Sequence, residues 1–102
     1  MKSDFDRQRL YDILTTIPKG RVVTYGKLAK LLGNKNWARA IGNALHKNPD
    51  GNKYHCYRVV NSKGNLSSSY AFGGLDEQKR RLEEDGIIIV NYSVDLKKFG
   101  MD

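Results

Sequence analysis

Leu10, Ile13, Leu14 and Ile17 recur at the three- and four-residue spacing of one helical face. This predicts a first helix capped by Ser3 or Asp4 and stopped by Pro18 and the Lys19-Gly20 turn. Residues 21–24 form a short β-prone stretch. Thr24 then stands where an N-cap belongs, opening a second helix whose Leu28, Leu31 and Leu32 face inward until Gly33 ends it. A third helix is predicted from about Asn36, with Trp37, Ile41 and Leu45 on one face and Ala38, Ala40 and Ala44 keeping it slim. Its other face carries Arg39, Asn43 and His46.

Two short helices joined by a tight glycine-containing turn, the second rich in small residues and basic, make a helix-turn-helix. Beyond the Asn48-Pro49-Asp50-Gly51 loop, residues 54–60 followed by Ser62-Lys63-Gly64 read as a β-hairpin or wing. Ser67-Ser68-Ser69 and Gly73-Gly74 mark a loop before a helix over 76–84, and residues 87–90 read as a strand. The expected fold is therefore mainly α with small β, a single winged helix-turn-helix domain over residues 1–102.

Charge gives this fold a partner class. The 102-residue chain carries a net charge of +7, and it is unevenly spread. Between Lys19 and Lys63 there are ten Lys or Arg against one acid, Asp50, which is the footprint of a polyanion binder. No apolar run approaches the roughly 20 residues of a bilayer-spanning helix, and no export signal opens the chain, so a cytoplasmic protein is expected. The lone cysteine, Cys56, excludes an intramolecular disulfide. With His46 and His55 it forms no metal-ligand spacing, so neither a metal nor another cofactor is expected.

Four blocks in order carry a family resemblance: residues 17–29 (IPKGRVVTYGKLA), 38–45 (ARAIGNAL), Asn48-Pro49, and 56–60 (CYRVV). Together they resemble the DNA-binding domain of the O6-alkylguanine-DNA alkyltransferases, with a loop and tail more similar to the short alkyltransferase-like proteins. The resemblance covers residues 5–86. It implies binding to double-stranded DNA containing alkylated guanine, entry from the minor groove, and rotation of the damaged nucleotide into a pocket. Arg39 matches the arginine that fills the vacated place in the stack, and Tyr25 the tyrosine that crowds the adjacent phosphate. Ala38, Gly42 and Asn43 would lie along the groove, with Lys35 and Arg58 among the cationic contacts. Asn48 matches the asparagine behind the acceptor thiol, and Tyr70, Ala71 and Phe72 occupy the loop that closes over the extruded base.

The chemistry departs from the pattern. Repair enzymes read Pro-Cys-His-Arg where this chain reads His55-Cys56-Tyr57-Arg58. Displacement at an alkyl carbon needs a thiolate, which the family generates through a histidine, a water and a glutamate. Here Tyr57 replaces the histidine, and Asp85 stands at the glutamate position. A phenol with an ordinary pKa of about 10 is a poor base. Nearby positive charge, from Arg58 in particular, could instead lower the thiol's pKa. His55 would point to the opposite face of a strand from Cys56 and so could not take over as base. Alkyltransferase-like proteins usually hold tryptophan at the acceptor position, so the retained cysteine sets this chain apart from them too.

Two readings follow: a single-turnover alkyl acceptor at Cys56, or a non-catalytic sensor that flags lesions for nucleotide excision repair proteins. A plain DNA binder without damage specificity is a distant third. A monomer is expected.

Overall fold

The structure is a computed structural model that describes residues 5–67 and 70–101. Asp6 opens α1 (Arg7–Leu14) by accepting the backbone N–H groups of Gln8 and Arg9. Ser3 and Asp4, the caps expected from the sequence, lie outside the described residues. α1 ends before Ile17, because the Thr15 and Thr16 hydroxyls donate to the carbonyls of Asp12 and Ile13 and close the last turn. Ile17 is still buried, but from the turn that follows.

Thr24 caps α2 (Tyr25–Leu32) through a bond from the Lys27 N–H, and Gly33 ends it at φ +99, a left-handed conformation that suits glycine. The third helix starts later than its periodicity suggests. Asn34 caps a 3₁₀ turn, Lys35–Trp37, before α3 runs over Ala38–His46. Leu10, Leu14, Leu28 and Ile41 are fully enclosed where these three helices meet. The Tyr11 hydroxyl donates to the Ala44 carbonyl at 2.8 Å, tying α1 to α3, and its ring stacks on Tyr54.

The expected 54–60 hairpin does not form. Cys56–Arg58 is a 3₁₀ turn, and only Val59–Val60 is extended, as β2. β2 pairs in parallel with β1 (Val23–Thr24), Val23 opposite Val59 and Thr24 opposite Val60. Paired with a distant strand and buried on both sides, Val59 and Val60 have the continuous apolar character of an internal parallel strand rather than the alternation of a solvent-facing wing. The antiparallel hairpin lies later, between β3 (Ile89–Val90) and β4 (Ser93–Val94). Its two turn residues, Asn91 and Tyr92, have φ of +53 and +57, matching the primed turns that fit hairpin twist.

α4 (Gly74–Glu84) packs its buried Leu82 on the core, two residues longer at its start than the sequence suggests. The Phe99 carbonyl at the end of α5 (Leu96–Phe99) accepts the Val22 N–H, and the Met101 N–H beyond it donates to the Val22 carbonyl. No helix among the described residues is long and apolar enough to cross a membrane.

Candidate functional site

The β1–β2 pairing determines where the site is. Tyr25 follows β1 and the Cys56–Arg58 turn precedes β2, so residues 31 positions apart are brought to one place. There, between α3, the 3₁₀ turn and the loop before α4, lies a cavity of about 410 Å³. Tyr25, Gly42, Asn43, Cys56, Tyr70 and Ala71 line it, together with Leu45, His46, Lys47, Val59, Ser67 and Gln78. Its volume falls within the roughly 300–1,000 Å³ of pockets that enclose small-molecule ligands. A Cβ built on Gly42 would meet nothing within 4 Å, so α3 leaves open space in front of that residue.

Cys56 is 5% exposed, and burial pushes its thiol above the ordinary cysteine value. A hydrogen bond from Asn48, one from the Cys56 backbone, and the charge of Arg81 oppose that rise without cancelling it. Arg58 is not the source of positive charge that the sequence suggests. Its guanidinium points away, with Nε on Asp85 at 3.0 Å and Nη1 on the Ile17 carbonyl at 2.8 Å. At 7% exposure, Arg58 is an internal ion-pair residue and not a surface phosphate contact.

Asp85 also accepts from the Tyr57 hydroxyl at 2.8 Å. Burial, then the bond to Asp85, pushes the Tyr57 phenol further up, so it stays protonated near neutrality. His55 caps the 3₁₀ turn rather than sitting on a strand, so the opposite-face argument does not apply to it. Burial and then the Arg58 charge lower its pKa, and its Nδ1 is buried without a hydrogen-bond partner.

Asn48, 7% exposed, donates to the Tyr54 carbonyl at 2.7 Å and accepts from the Asp50 N–H at 2.9 Å. It closes the loop that carries the chain from α3 back to the thiol. Phe72 does not line the cavity; it lies over Gly51, where an added Cβ would come within 3.0 Å of its ring. Tyr70 and Ala71 remain in the wall. Tyr25 is held there by a hydrogen bond with Ser67.

The exposed face of α3 carries Ala38, Arg39 and Asn43. Arg39 and Asn43 are four residues apart and therefore neighbours on that face, so the arginine stands next to the cavity rim. Arg39 has no hydrogen-bond or ion-pair partner among the described residues. Lys35 is exposed on the preceding 3₁₀ turn.

Two residues that shape the site have no counterpart in the sequence reading. Gln78 is 1% exposed; its amide donates to the carbonyls of Tyr57 and Val59, and its oxygen accepts the Ser67 N–H. A signal existed, since Gln78 sits on the apolar stripe between Leu75 and Leu82, where a polar side chain needs internal partners. Arg81, one turn further on, bonds the Asn52 side chain at 3.0 Å and the Tyr70 hydroxyl at 3.4 Å and lies 4.7 Å over the Tyr57 ring.

Residues 6–87 match the family of the 6-O-methylguanine DNA methyltransferase DNA binding domain. A bifunctional methyltransferase/endonuclease of Picrophilus torridus is 47% identical over 88% of this chain, which spans only 30% of that protein. A DNA base-flipping protein of Vibrio parahaemolyticus is 42% identical, over 78% of this chain and 77% of its own. Among solved structures, S. pombe Atl1 in complex with damaged DNA containing O6-carboxymethylguanine superposes with a TM-score of 0.83 at 32% identity, covering 94% of each chain.

Proposed function

This chain belongs to the family of the 6-O-methylguanine DNA methyltransferase DNA-binding domain, and on that premise we propose that it binds duplex DNA carrying O6-alkylguanine and flips the damaged nucleotide. The carrying observation is the continuity between α3 and the cavity: Arg39 projects beside the rim that Asn43 forms, with Cys56 in the wall. Approach from the minor groove lets slim α3 lie close, Arg39 occupy the vacated place in the stack, and the base enter the cavity. Tyr25 crowds the phosphate of the rotated nucleotide, while Lys35 contributes a sequence-independent contact. On this reading residues 1–102 act as one winged helix-turn-helix domain, monomeric and cytoplasmic.

What happens to the alkyl group depends on the thiol. Transfer would require the Cys56 sulfur, as thiolate, to attack the alkyl carbon; the carbon–oxygen bond breaks, guanine leaves with the electron pair, and a thioether remains. The surroundings oppose it. The thiol is raised by burial, Tyr57 holds its own proton, and Asp85 is committed to Tyr57 and Arg58. We therefore place recognition ahead of transfer, with nucleotide excision repair proteins acting on the marked site. The acceptor reading keeps one specific support, the place of Cys56 in the cavity wall, where Asn48 and the charge of Arg81 act to lower the thiol's pKa against the larger effect of burial.

Fluorescence anisotropy with matched duplexes tests the first statement: O6-methylguanine DNA should bind at least about tenfold more tightly than undamaged DNA, a modest share of the few kcal/mol that flipping redistributes. Equal affinities would reduce the protein to a general duplex binder. Intact-mass measurement after the same incubation decides the second, since a methyl gained on Cys56 establishes transfer and an unchanged mass with tight binding establishes sensing.

A further inference from the structure

Arg81 belongs to neither the reading face nor the cavity lining, yet it joins three segments that meet at the site. Its guanidinium reaches Asn52 in the 48–54 loop, the Tyr70 hydroxyl in the cavity wall, and the face of Tyr57 beside the thiol. Asn52 and Tyr70 are 18 residues apart, and Arg81 bonds both. Tyr70 leans on Phe72, which in turn covers Gly51, so the wall and the 48–54 loop meet twice: through an aromatic contact on one side and the Arg81 fork on the other. A planar fork with two separate acceptors fixes direction as well as distance, which a lysine cannot do.

Gln78 lies one turn earlier on the same face of α4 and pins the start of this loop through Ser67. Gln78 thus holds Ser67 through its backbone and Arg81 holds Tyr70 through its side chain, while the Tyr70 N–H also donates to the Ser67 carbonyl. The backbone anchor is buried and saturated. The Arg81 anchor is only half-buried, and its bond to Tyr70 is the longer, so it is the end that can yield to a ligand.

We propose that Arg81 is a positioning residue that sets the Tyr70 wall of the cavity, and through it the preference for alkylated over undamaged guanine. The inference rests on the flipping reading, because only an extruded base meets that wall. It gives α4 a role in discrimination although Arg81 stands on a different helix from Arg39 and does not line the cavity. The charge of Arg81 also bears on Cys56, with Tyr11, Tyr25 and Tyr70 as the other titratable groups facing the thiol.

Two measurements on Arg81→Lys, which retains the charge and removes the fork, test the assignment. In DNA-free protein, iodoacetamide labelling of Cys56, the single cysteine, is followed by mass. With the wall released, labelling at fixed pH should quicken severalfold while the thermal midpoint stays near that of the parent. In anisotropy, affinity for O6-methylguanine duplex should fall about tenfold, the usual scale for losing a charge-assisted hydrogen bond, with less than about twofold change for undamaged duplex. Unchanged labelling, or lesion and undamaged affinities that fall together, overturns the proposal. A parent protein that binds both duplexes equally overturns the flipping reading instead, and the labelling result then still decides whether Arg81 holds the wall.

Discussion

Arg39 and Arg58 lie in the same basic block, and the two regions they occupy could hardly differ more. On α3 the arginine is exposed and without a partner among the described residues, beside a helix wall of small residues that leaves open space. Behind Cys56 the arginine is buried, paired with Asp85, and bonded to the Ile17 carbonyl, while the Tyr57 hydroxyl donates to the same Asp85 oxygen that Arg58 holds. The first region has its polar capacity free for a ligand. In the second the Tyr57 hydroxyl and the Arg58 guanidinium are both engaged by Asp85, which is why it supports the site without supplying a base.

The sharpest way to break this contrast is to remove Asp85. Asp85→Ala leaves Arg58 buried without its counter-ion and Tyr57 without its acceptor, and a loss of about 3–5 kcal/mol in urea unfolding is expected. A loss below about 1 kcal/mol would mean that water reaches the pair and that the wall is not saturated. Arg39→Ala should do the opposite, leaving the unfolding midpoint in place while costing about 2 kcal/mol of lesion affinity, the scale of an unstacking step left uncompensated. Comparable losses on damaged and undamaged duplexes would show Arg39 to be a phosphate contact.

Smaller effects sharpen the picture. Asn48→Ala removes the bonds to Tyr54 and Asp50, and with them a group that lowers the thiol's pKa; about 1–2 kcal/mol of stability should go. The Cys56 thiol should at the same time become slower towards iodoacetamide near neutral pH. In the parent that reaction should keep accelerating with pH beyond about 8.5, where an ordinary cysteine is half ionised, because a raised pKa leaves less thiolate at any lower pH. An early plateau would contradict burial as the dominant influence. Lys35→Ala should cost less than about 1 kcal/mol and lower the salt slope of binding by about one, equally for both duplexes.

The helices were legible because their information is local. Thr24 and Gly33 are cap residues whose own side chain or backbone freedom performs the role, and Leu28, Ile41 and Leu45 declare the buried face by spacing alone. The four family blocks likewise singled out Cys56, Asn48, Tyr25 and Arg39, of which Tyr25 and Cys56 line the cavity. Residues 54–60 were read as a hairpin because their apolar run fits a strand of either kind. The structure resolves the run into a 3₁₀ turn and a two-residue parallel strand, a partnership with residues 23–24 that no local pattern announces.

The sequence by itself determined a mainly helical chain with a basic middle, the cap and stop of α2, and the presence of one thiol in a family block, since each follows from charge and periodicity within a few residues. Only the tertiary structure decided that Arg58 turns inward, that Phe72 leaves the cavity for Gly51, and that Gln78 and Arg81 hold the wall from behind. The reason is that a polar side chain's role is set by which partners reach it in space, and those partners come from segments far apart along the chain. The same holds for the reactivity of Cys56: its residue type fixes what it can do, while burial and the neighbours assembled around it fix how readily it does so.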